Sequence, residues 1–467
     1  MEREQISQIV ERVLTRIHKG EMPASTKLPA NPHGVYETVS EAVSAANMAH
    51  QVLVNMPLEK RREIIANIRR RAAEDVNTLA TLANEETGLG RVEDKIKKNL
   101  LVIHKTPGVE ILQPTAWTGD SGLTLMERAP FGVIGSITPC TNPTETILCN
   151  GIGMVAGGNA VVFNTHPSAK NTSAYVIDLI NRASIEVGGP DNLMCCVRNP
   201  TIASAQELMH FPGVRMIVVT GGGAVVKAAM NSGKICIGAG PGNPPVVVDE
   251  TADIAAAARG ITLGASFDNN IICTDEKEVF VVNKVADKLI EGMRANGCVQ
   301  LRNHQITRLE KLILTADREH VNRDWVGKSP SKMLREIDVP FTGDPRLIIC
   351  DVDAQHPFVQ TELLMPVMGI VRVADVNQGI DYAVQAEHGY GHTASMWSKN
   401  LDALHRMACV SNVSIFVKNA SNFAGLGYGG EGFTSFTIAS PTGHGLTTAI
   451  DFTRVRRCTL AGYFRIV

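Results

Sequence analysis

"GVIGSITPCTNPTETILCNGIGMVAGGNAVVFN", residues 132–164, is the stretch that decides the fold. It opens with a short, β-rich apolar run that stops at a proline. That reads as a strand entering a turn. Residues 144–158 follow as a helix closed by paired glycines, and "AVVFN" at 160–164 is a second strand. The unit then repeats. "PSAKNTSAYVIDLINRAS" is a helix, "LMCCV" a strand, "TIASAQELMH" a helix, "RMIVV" a strand and "GAVVKAAMN" a helix. Such alternation implies right-handed crossovers and a parallel sheet covered on both faces. Ligands of these sheets sit at the carboxyl ends of the strands.

A second α/β series begins at "PPVVVDETADI" and continues through "EVFVVNK", "RLIICDV", "GIVRVAD", "TASMWS" and "SIFVKN". The stretch 300–345 inside it reads as polar and mostly helical. A break near 238–245 separates the two units and implies a cleft between them. Upstream, residues 35–108 have the 3.6 period, with Gly88 and Gly90 suited to end a helix. "TAWTGDSGLTLMERAPFG" reads as a hairpin, and the tail "DFTRVRRCTLAGYFRIV" also alternates. These two pieces read either as an arm extending a sheet between subunits or as an edge hairpin of the monomer.

The whole chain has 467 residues, 44% of them hydrophobic, which suits two or three domains. Its 45 basic and 47 acidic residues leave a formal charge of −2, so neither nucleic acid nor a membrane surface is the expected partner. No run of about 18 apolar residues occurs, and a transmembrane helix is not expected. The ten cysteines show no CxxC pair and no metal-ligand spacing. Reduced thiols, a cytoplasmic setting and no metal are the expectation.

Residues 1–18, "MEREQISQIVERVLTRIH", carry Ile6, Ile9, Val10, Val13, Leu14 and Ile17 on one helical stripe. A linker with three prolines follows at 19–33. The helix either folds back on its own domain or docks in a partner's groove, and the spacer favours docking.

Three places invite chemistry. Cys273 in "GASFDNNIICTDEK", residues 264–277, is either a packed thiol or a nucleophile. Asn142, at a strand-to-helix turn, is placed to donate to an oxyanion or to cap the helix. Thr220 and the three glycines after it stand between strand and helix. A phosphate fits there, and so does an ordinary tight turn.

The order strand–PCTNP, strand–NTHP, strand–VTGGG, "GAGPGNPP", "NNIIC" and "TELLMP" resembles the aldehyde dehydrogenase superfamily. "GASFDNNIIC", "SIFVKN" and "GGEGFT" are closest to its CoA-acylating branch, the acetaldehyde and propionaldehyde dehydrogenases of bacterial microcompartments. The resemblance spans residues 34–467. It implies an α/β fold, aldehyde dehydrogenase-like, with two Rossmann-like domains and a β-strand oligomerisation arm. The dinucleotide-binding domain would be 34–110 with 130–240, the catalytic domain 241–445, and the arm 111–129 with 446–467. The cofactors implied are NAD and coenzyme A, and the assembly a homodimer or homotetramer. Residues 1–18 look like an encapsulation helix for shell or core proteins, which puts the protein in a microcompartment lumen within a bacterial cytoplasm.

By the same resemblance Cys273 is the nucleophile, and Asn142 with the Cys273 N–H forms the oxyanion hole. Thr220, Gly221 and Gly222 line the nicotinamide site. Glu362 of "TELLMP" binds the nicotinamide ribose, with Leu364 beside it. Thr165, His166 and Pro167 lie near the adenosine ribose. Thr138, Pro139, Cys140, Thr141, Gly238, Ala239 and Gly240 complete the nucleotide rim. The chain departs from the pattern at Cys140, where serine is expected, at Thr165, where proline is expected, and at "GYGHT", where relatives pair histidines. His392, in that last stretch, is a candidate to assist the CoA thiol or a structural histidine.

Hydrolytic members activate water with a glutamate about 34 residues before the cysteine, and Gly238 stands at that place. A thioester without a base nearby meets water slowly, whereas a thiol acceptor is already part thiolate. This favours acyl transfer to CoA, with NADH leaving before CoA enters. The alternatives are a hydrolytic aldehyde dehydrogenase, a cysteine acyltransferase without a redox step, and a non-catalytic scaffold. "FGVIGS", "PTET" and "VGKSPSKML" lean the reading toward propionaldehyde over acetaldehyde.

Overall fold

The computed structural model describes residues 29–318 and 320–466. The predicted helix at 1–18 and most of its linker therefore lie outside the described residues. Val133–Ile137, buried at every residue, lies in the interior of a six-stranded parallel sheet. On one side the sheet continues through Ala160–Asn164, Met194–Val197 and the short edge strand Val35–Tyr36. On the other side lie Val214–Thr220 and Ile235–Ala239. The chain thus reverses direction across the sheet between Val133–Ile137 and Val214–Thr220, and a crevice forms above the carboxyl ends of those two strands.

The pattern did not reveal Ile235–Ala239. Its burial runs from an exposed Ile235 to a buried Ala239, so it lacks the apolar run of a central strand.

The second sheet is also parallel and has seven strands. Their order is Cys298–Leu301, Leu347–Asp351, Val367–Val373, Glu278–Val282, Pro245–Val248, Thr393–Trp397 and Ile415–Lys418. The expectation for 300–345 needs correction. An edge strand runs into it at Cys298–Leu301, and only Asn303–Ile313 and Pro330–Glu336 are α-helical, with loops between. Just two of the four strand residues, Cys298 and Leu301, are buried, which leaves too weak a signal to read.

Thr453–Ala461 pairs antiparallel with Gly122–Pro130, which pairs with Thr115–Gly119. Hairpin and tail thus form one three-stranded sheet, and both outer strands are almost wholly exposed. Of the expected arm segment 446–467, only Thr453–Ala461 joins this sheet. Leu446 pairs with Ile438, and Ala449 and Phe452 are buried in the main core.

Asn159 ties the arm to that core. Its Oδ1 accepts the N–H groups of Phe131 and Gly132 at 2.8 and 3.2 Å. Its Nδ2 donates to the carbonyls of Met154 and Phe452 at 3.1 and 2.9 Å. One fully buried carboxamide therefore satisfies four backbone groups where the arm enters the sheet.

Among the upstream helices, Val92–Lys105 is unusual. Besides Ile96 and Leu100–Ile103 it buries Asp94, Lys95, Lys98 and Asn99. Buried charges require partners, and these are found in the site.

Candidate active site

Cys273 follows a strained turn. After the helix Ile254–Ser266, residues Asp268, Asn269 and Asn270 have φ of 45°, 56° and 63°. Left-handed backbone is tolerated best by Asn and Asp among side-chain-bearing residues, and costs about 1–3 kcal/mol at each position. Buried polar contacts offset that cost. Asp268 Oδ1 accepts Arg91 N–H at 2.7 Å, and Oδ2 accepts Lys95 Nζ at 3.1 Å and Lys98 Nζ. Asn269 accepts from Arg91 Nε at 3.0 Å and donates to the Gly327 carbonyl at 2.9 Å. Asn270 donates to the carbonyls of Ala265 and Glu276 at 2.8 and 2.9 Å. Lys277 Nζ donates to Asn270 Oδ1 at 2.6 Å and to the Ile272 carbonyl at 3.1 Å. Gly90 is required by the same turn, since a Cβ there would fall 1.9 Å from Asp268 Oδ1.

So presented, Cys273 is half-buried and lines a cavity of about 160 Å³. Three chain segments converge on it. Pro139, Thr141 and Asn142 follow Val133–Ile137, Thr220–Gly222 end Val214–Thr220, and Glu362 with Leu364 come from the second unit. Gly240 lines it too. Sequence reasoning missed Leu426, Ser435, Phe436 and Ile438, which close the wall. The quoted "GGEGFT" pointed to that neighbourhood but not to these residues. A larger groove of about 640 Å³, around Arg259, Arg346 and Trp397, shares no lining residue with this cavity and holds none of the predicted groups.

Asn142 occupies the N-cap position of the helix Pro143–Ala156, yet its side chain does not cap it. Its Oδ1 accepts Lys98 Nζ at 2.7 Å, and its Nδ2 donates to Thr141 Oγ1 at 3.2 Å. Gly222 precedes the helix Gly223–Met230, and a Cβ added at Gly222 or Gly223 would meet open space. That helix N-terminus has room for a phosphate.

Other expected residues lie off the cavity. Thr138, Cys140, Gly238 and Ala239 are not among its lining residues. Gly238 is buried, donates its N–H to Thr442 Oγ1 at 3.1 Å, and a Cβ there would sit 2.9 Å from Val226. Thr165 is buried, while His166 and Pro167 are exposed one strand away, after Ala160–Asn164. His392 also lies off the cavity. It is 1% exposed at the start of Thr393–Trp397 and does not line the wall. Its Nδ1 shares a hydrogen bond with Thr393 Oγ1 at 2.9 Å, and its Nε2 has no partner among the described residues. Gly242 packs between them, because a Cβ there would lie 2.8 Å from His392 Cγ and 2.9 Å from the Cys273 carbonyl oxygen.

Burial sets the protonation of this region. It pushes the Cys273 thiol up to about 12, with the Glu362 carboxylate adding to the rise and Lys277 opposing it. Burial raises Glu362 to about 7 and Glu276 to about 7. It lowers His392 to about 3, aided by Lys277. Burial would also lower Lys98, but Asp268 and Glu145 outweigh it and the ammonium is held above its ordinary range. The free chain at neutral pH therefore has a thiol at Cys273 and an uncharged ring at His392.

A family model described as the aldehyde dehydrogenase family matches residues 22–435. The chain belongs to that family. It is 47% identical over 472 residues, covering 100% of both chains, to acetaldehyde dehydrogenase (acetylating) EutE of Escherichia coli (strain K12). The fold is similar, with a TM-score of 0.92 and 46% identity, to a propionaldehyde dehydrogenase from the Clostridium phytofermentans fucose utilisation bacterial microcompartment. That match covers 93% of this chain and 100% of the other. Rhodopseudomonas palustris propionaldehyde dehydrogenase, solved with bound CoA and an acylated cysteine, matches with a TM-score of 0.90 and 45% identity. The match covers 92% of this chain and 98% of that one.

The raised carboxyls give a testable pH effect. Glu276 is fully buried, and its Oε1 accepts Asn422 N–H at 2.8 Å. Its folded pKa of about 7 lies above the ordinary 4.5. The folded chain thus binds the extra proton between those values, and stability falls as pH rises through that window. Glu276→Gln keeps the acceptor and removes the titration. Its melting temperature is expected to exceed the parent's at pH 8 and to approach it at pH 5. An equal shift at both pH values would refute the assignment.

Proposed function

We propose that the chain oxidises a short aldehyde to its acyl-CoA through a thioester on Cys273, with NAD as hydride acceptor. The observation that carries this reading is the meeting of Cys273, Asn142 and the Thr220–Gly222 turn in one small cavity. About 160 Å³ is well below the ~300–1,000 Å³ of drug-sized sites and suits a short aldehyde.

The chemistry follows from the side chains. Cys273 Sγ attacks the aldehyde carbon, and its proton passes to solvent as the C–S bond forms. The carbonyl oxygen gains the charge, and Asn142 Nδ2 is the donor to meet it. A nicotinamide nucleotide, for which the open Gly222–Gly223 helix terminus has room, supplies the hydride acceptor. Loss of hydride from the carbon leaves a thioester on Cys273. The CoA thiol then attacks that carbonyl, and Cys273 departs as the leaving group. His392, whose Nε2 has no partner among the described residues and lies behind Gly242, is our candidate to assist the CoA thiol. Gly238 supplies no base for water, and its position against Val226 has no room for a longer side chain. Glu362 is the one carboxylate among the described lining residues, so it is the group to test for residual hydrolysis.

The test follows NADH formation and products from propionaldehyde and acetaldehyde, with and without CoA. Acid release without CoA is expected to be at least ~10²-fold slower than acyl-CoA formation, the contribution a general base makes. Cys273→Ser is expected to abolish NADH formation. Brisk acid release without CoA would support the hydrolytic alternative, and NAD-independent acyl exchange the acyltransferase. The two aldehydes differ by one methylene, about 1–3 kcal/mol of discrimination, and propionaldehyde is the substrate we favour.

The setting we propose is a microcompartment lumen, with residues 1–18 docking to shell or core proteins. Deleting residues 1–18 is then expected to keep soluble activity and to lose co-purification with shell proteins. Loss of folding would instead mean that the helix belongs to the body. The three-stranded arm exposes Trp117, Val455 and Leu460, and no layer among the described residues covers its outer strands. We assign it to joining subunits in a homodimer or homotetramer. Leu460→Asp is expected to shift sedimentation toward the monomer; an unchanged profile would reject that role.

A further inference from the structure

Lys98 is a fully buried cation with no place in the mechanism above. Its Nζ lies against three acceptors. It donates to Asn142 Oδ1 at 2.7 Å, pairs with Asp268 Oδ2, and reaches Glu145 Oε1 at 3.4 Å. Glu145 is itself held by Thr144 Oγ1 at 3.0 Å and by Asn99 Nδ2 at 3.3 Å. Lys95 Nζ shares Asp268 from the other side at 3.1 Å. Two ammonium groups thus face two carboxylates, and the cluster is neutral as a whole.

We propose that Lys98 is a positioning residue that dictates which end of the Asn142 carboxamide faces Cys273. This inference rests on the assignment of Asn142 as oxyanion donor. A carboxamide has two faces of similar shape, one that donates and one that accepts. An ammonium only donates, so it captures Oδ1 and leaves Nδ2 as the end available to the cavity. The competing contact of Nδ2 is a single 3.2 Å bond to Thr141 Oγ1, which a developing oxyanion can replace. With the ammonium absent, nothing prevents the flipped amide, which would aim lone pairs at the negative oxygen. Lys95 Nζ, the second cation on Asp268 Oδ2, keeps that carboxylate paired when Lys98 is changed, so the effect of Lys98 is read at Asn142. Asp268 begins the left-handed turn that carries Cys273, while Asn142 stands on a different sheet's loop.

The experiment is a double-mutant cycle on the full chain with Lys98→Met, Asn142→Ala and both together. It reads kcat and KM for NADH formation with CoA present, together with alkylation of Cys273 by iodoacetamide without substrates. Lys98→Met is expected to lower kcat roughly 10²-fold, the effect of losing one oxyanion donor. Aldehyde KM and the alkylation rate are expected to stay within about threefold of the parent. Most decisively, Lys98→Met is expected to cost nothing further in the Asn142→Ala background. A purely structural lysine would slow or expose Cys273 in both backgrounds alike. Equal losses in the two backgrounds, or a Lys98→Met kcat within about threefold of the parent while Asn142→Ala is impaired, overturn the proposal. Full activity in Asn142→Ala would instead refute the oxyanion assignment beneath it. Should Lys98→Met not fold, the same cycle is run with Lys98→Arg. That variant keeps the charge for Asp268 but replaces a point donor with a planar fork, and its loss is expected to vanish in the Asn142→Ala background as well.

Discussion

The buried pair between Lys98 and Asp268 is the contact on which the site depends. Both side chains are 0% exposed, and one sits on a helix of the first unit while the other starts the turn leading to Cys273. Ion pairs stripped of water contribute little net stability, but breaking one from a single side costs about 3–5 kcal/mol. Its value here is geometric. It joins the helix that holds Asn142 in one α/β unit to the turn that precedes Cys273 in the other.

Around that pair the protein suppresses charge. Cys273, Glu276, Glu362 and His392 are all displaced toward their uncharged forms, chiefly by burial. Asp275 and Glu278 are also raised well above the carboxylate range. Lys277 opposes the rise at each of these acids, yet its own contacts are spent on Asn270 and Ile272. The thiol is therefore not stored as a reactive thiolate. The thiolate is the form that reacts with oxidants, and burial disfavours it here.

Much of this was legible in the chain. The buried strand Val133–Ile137 announced itself by a short β-rich run that stops before Pro139, and the turns after it and after Val219 placed Asn142 and Thr220 where parallel sheets bind ligands. The edge strand Cys298–Leu301 and the graded strand Ile235–Ala239 escaped notice because half-exposed edges carry no clear period. The left-handed run Asp268–Asn270 was signalled only by residue type, since Asp and Asn tolerate positive φ but do not demand it.

What the sequence determined by itself was local: strand and helix periods, the turns that stop them, and the motifs holding Cys273, Asn142 and Glu362. Tertiary structure alone decided which of those motifs share a cavity, that His392 stands behind the wall, and that Phe436 and Ser435 complete it. It alone set the register of the tail against the hairpin and brought Lys98 to Asn142. The physical reason is that burial and long-range hydrogen bonds belong to no window of the chain. A buried lysine and an exposed one look alike in a helix until the residue opposite is known.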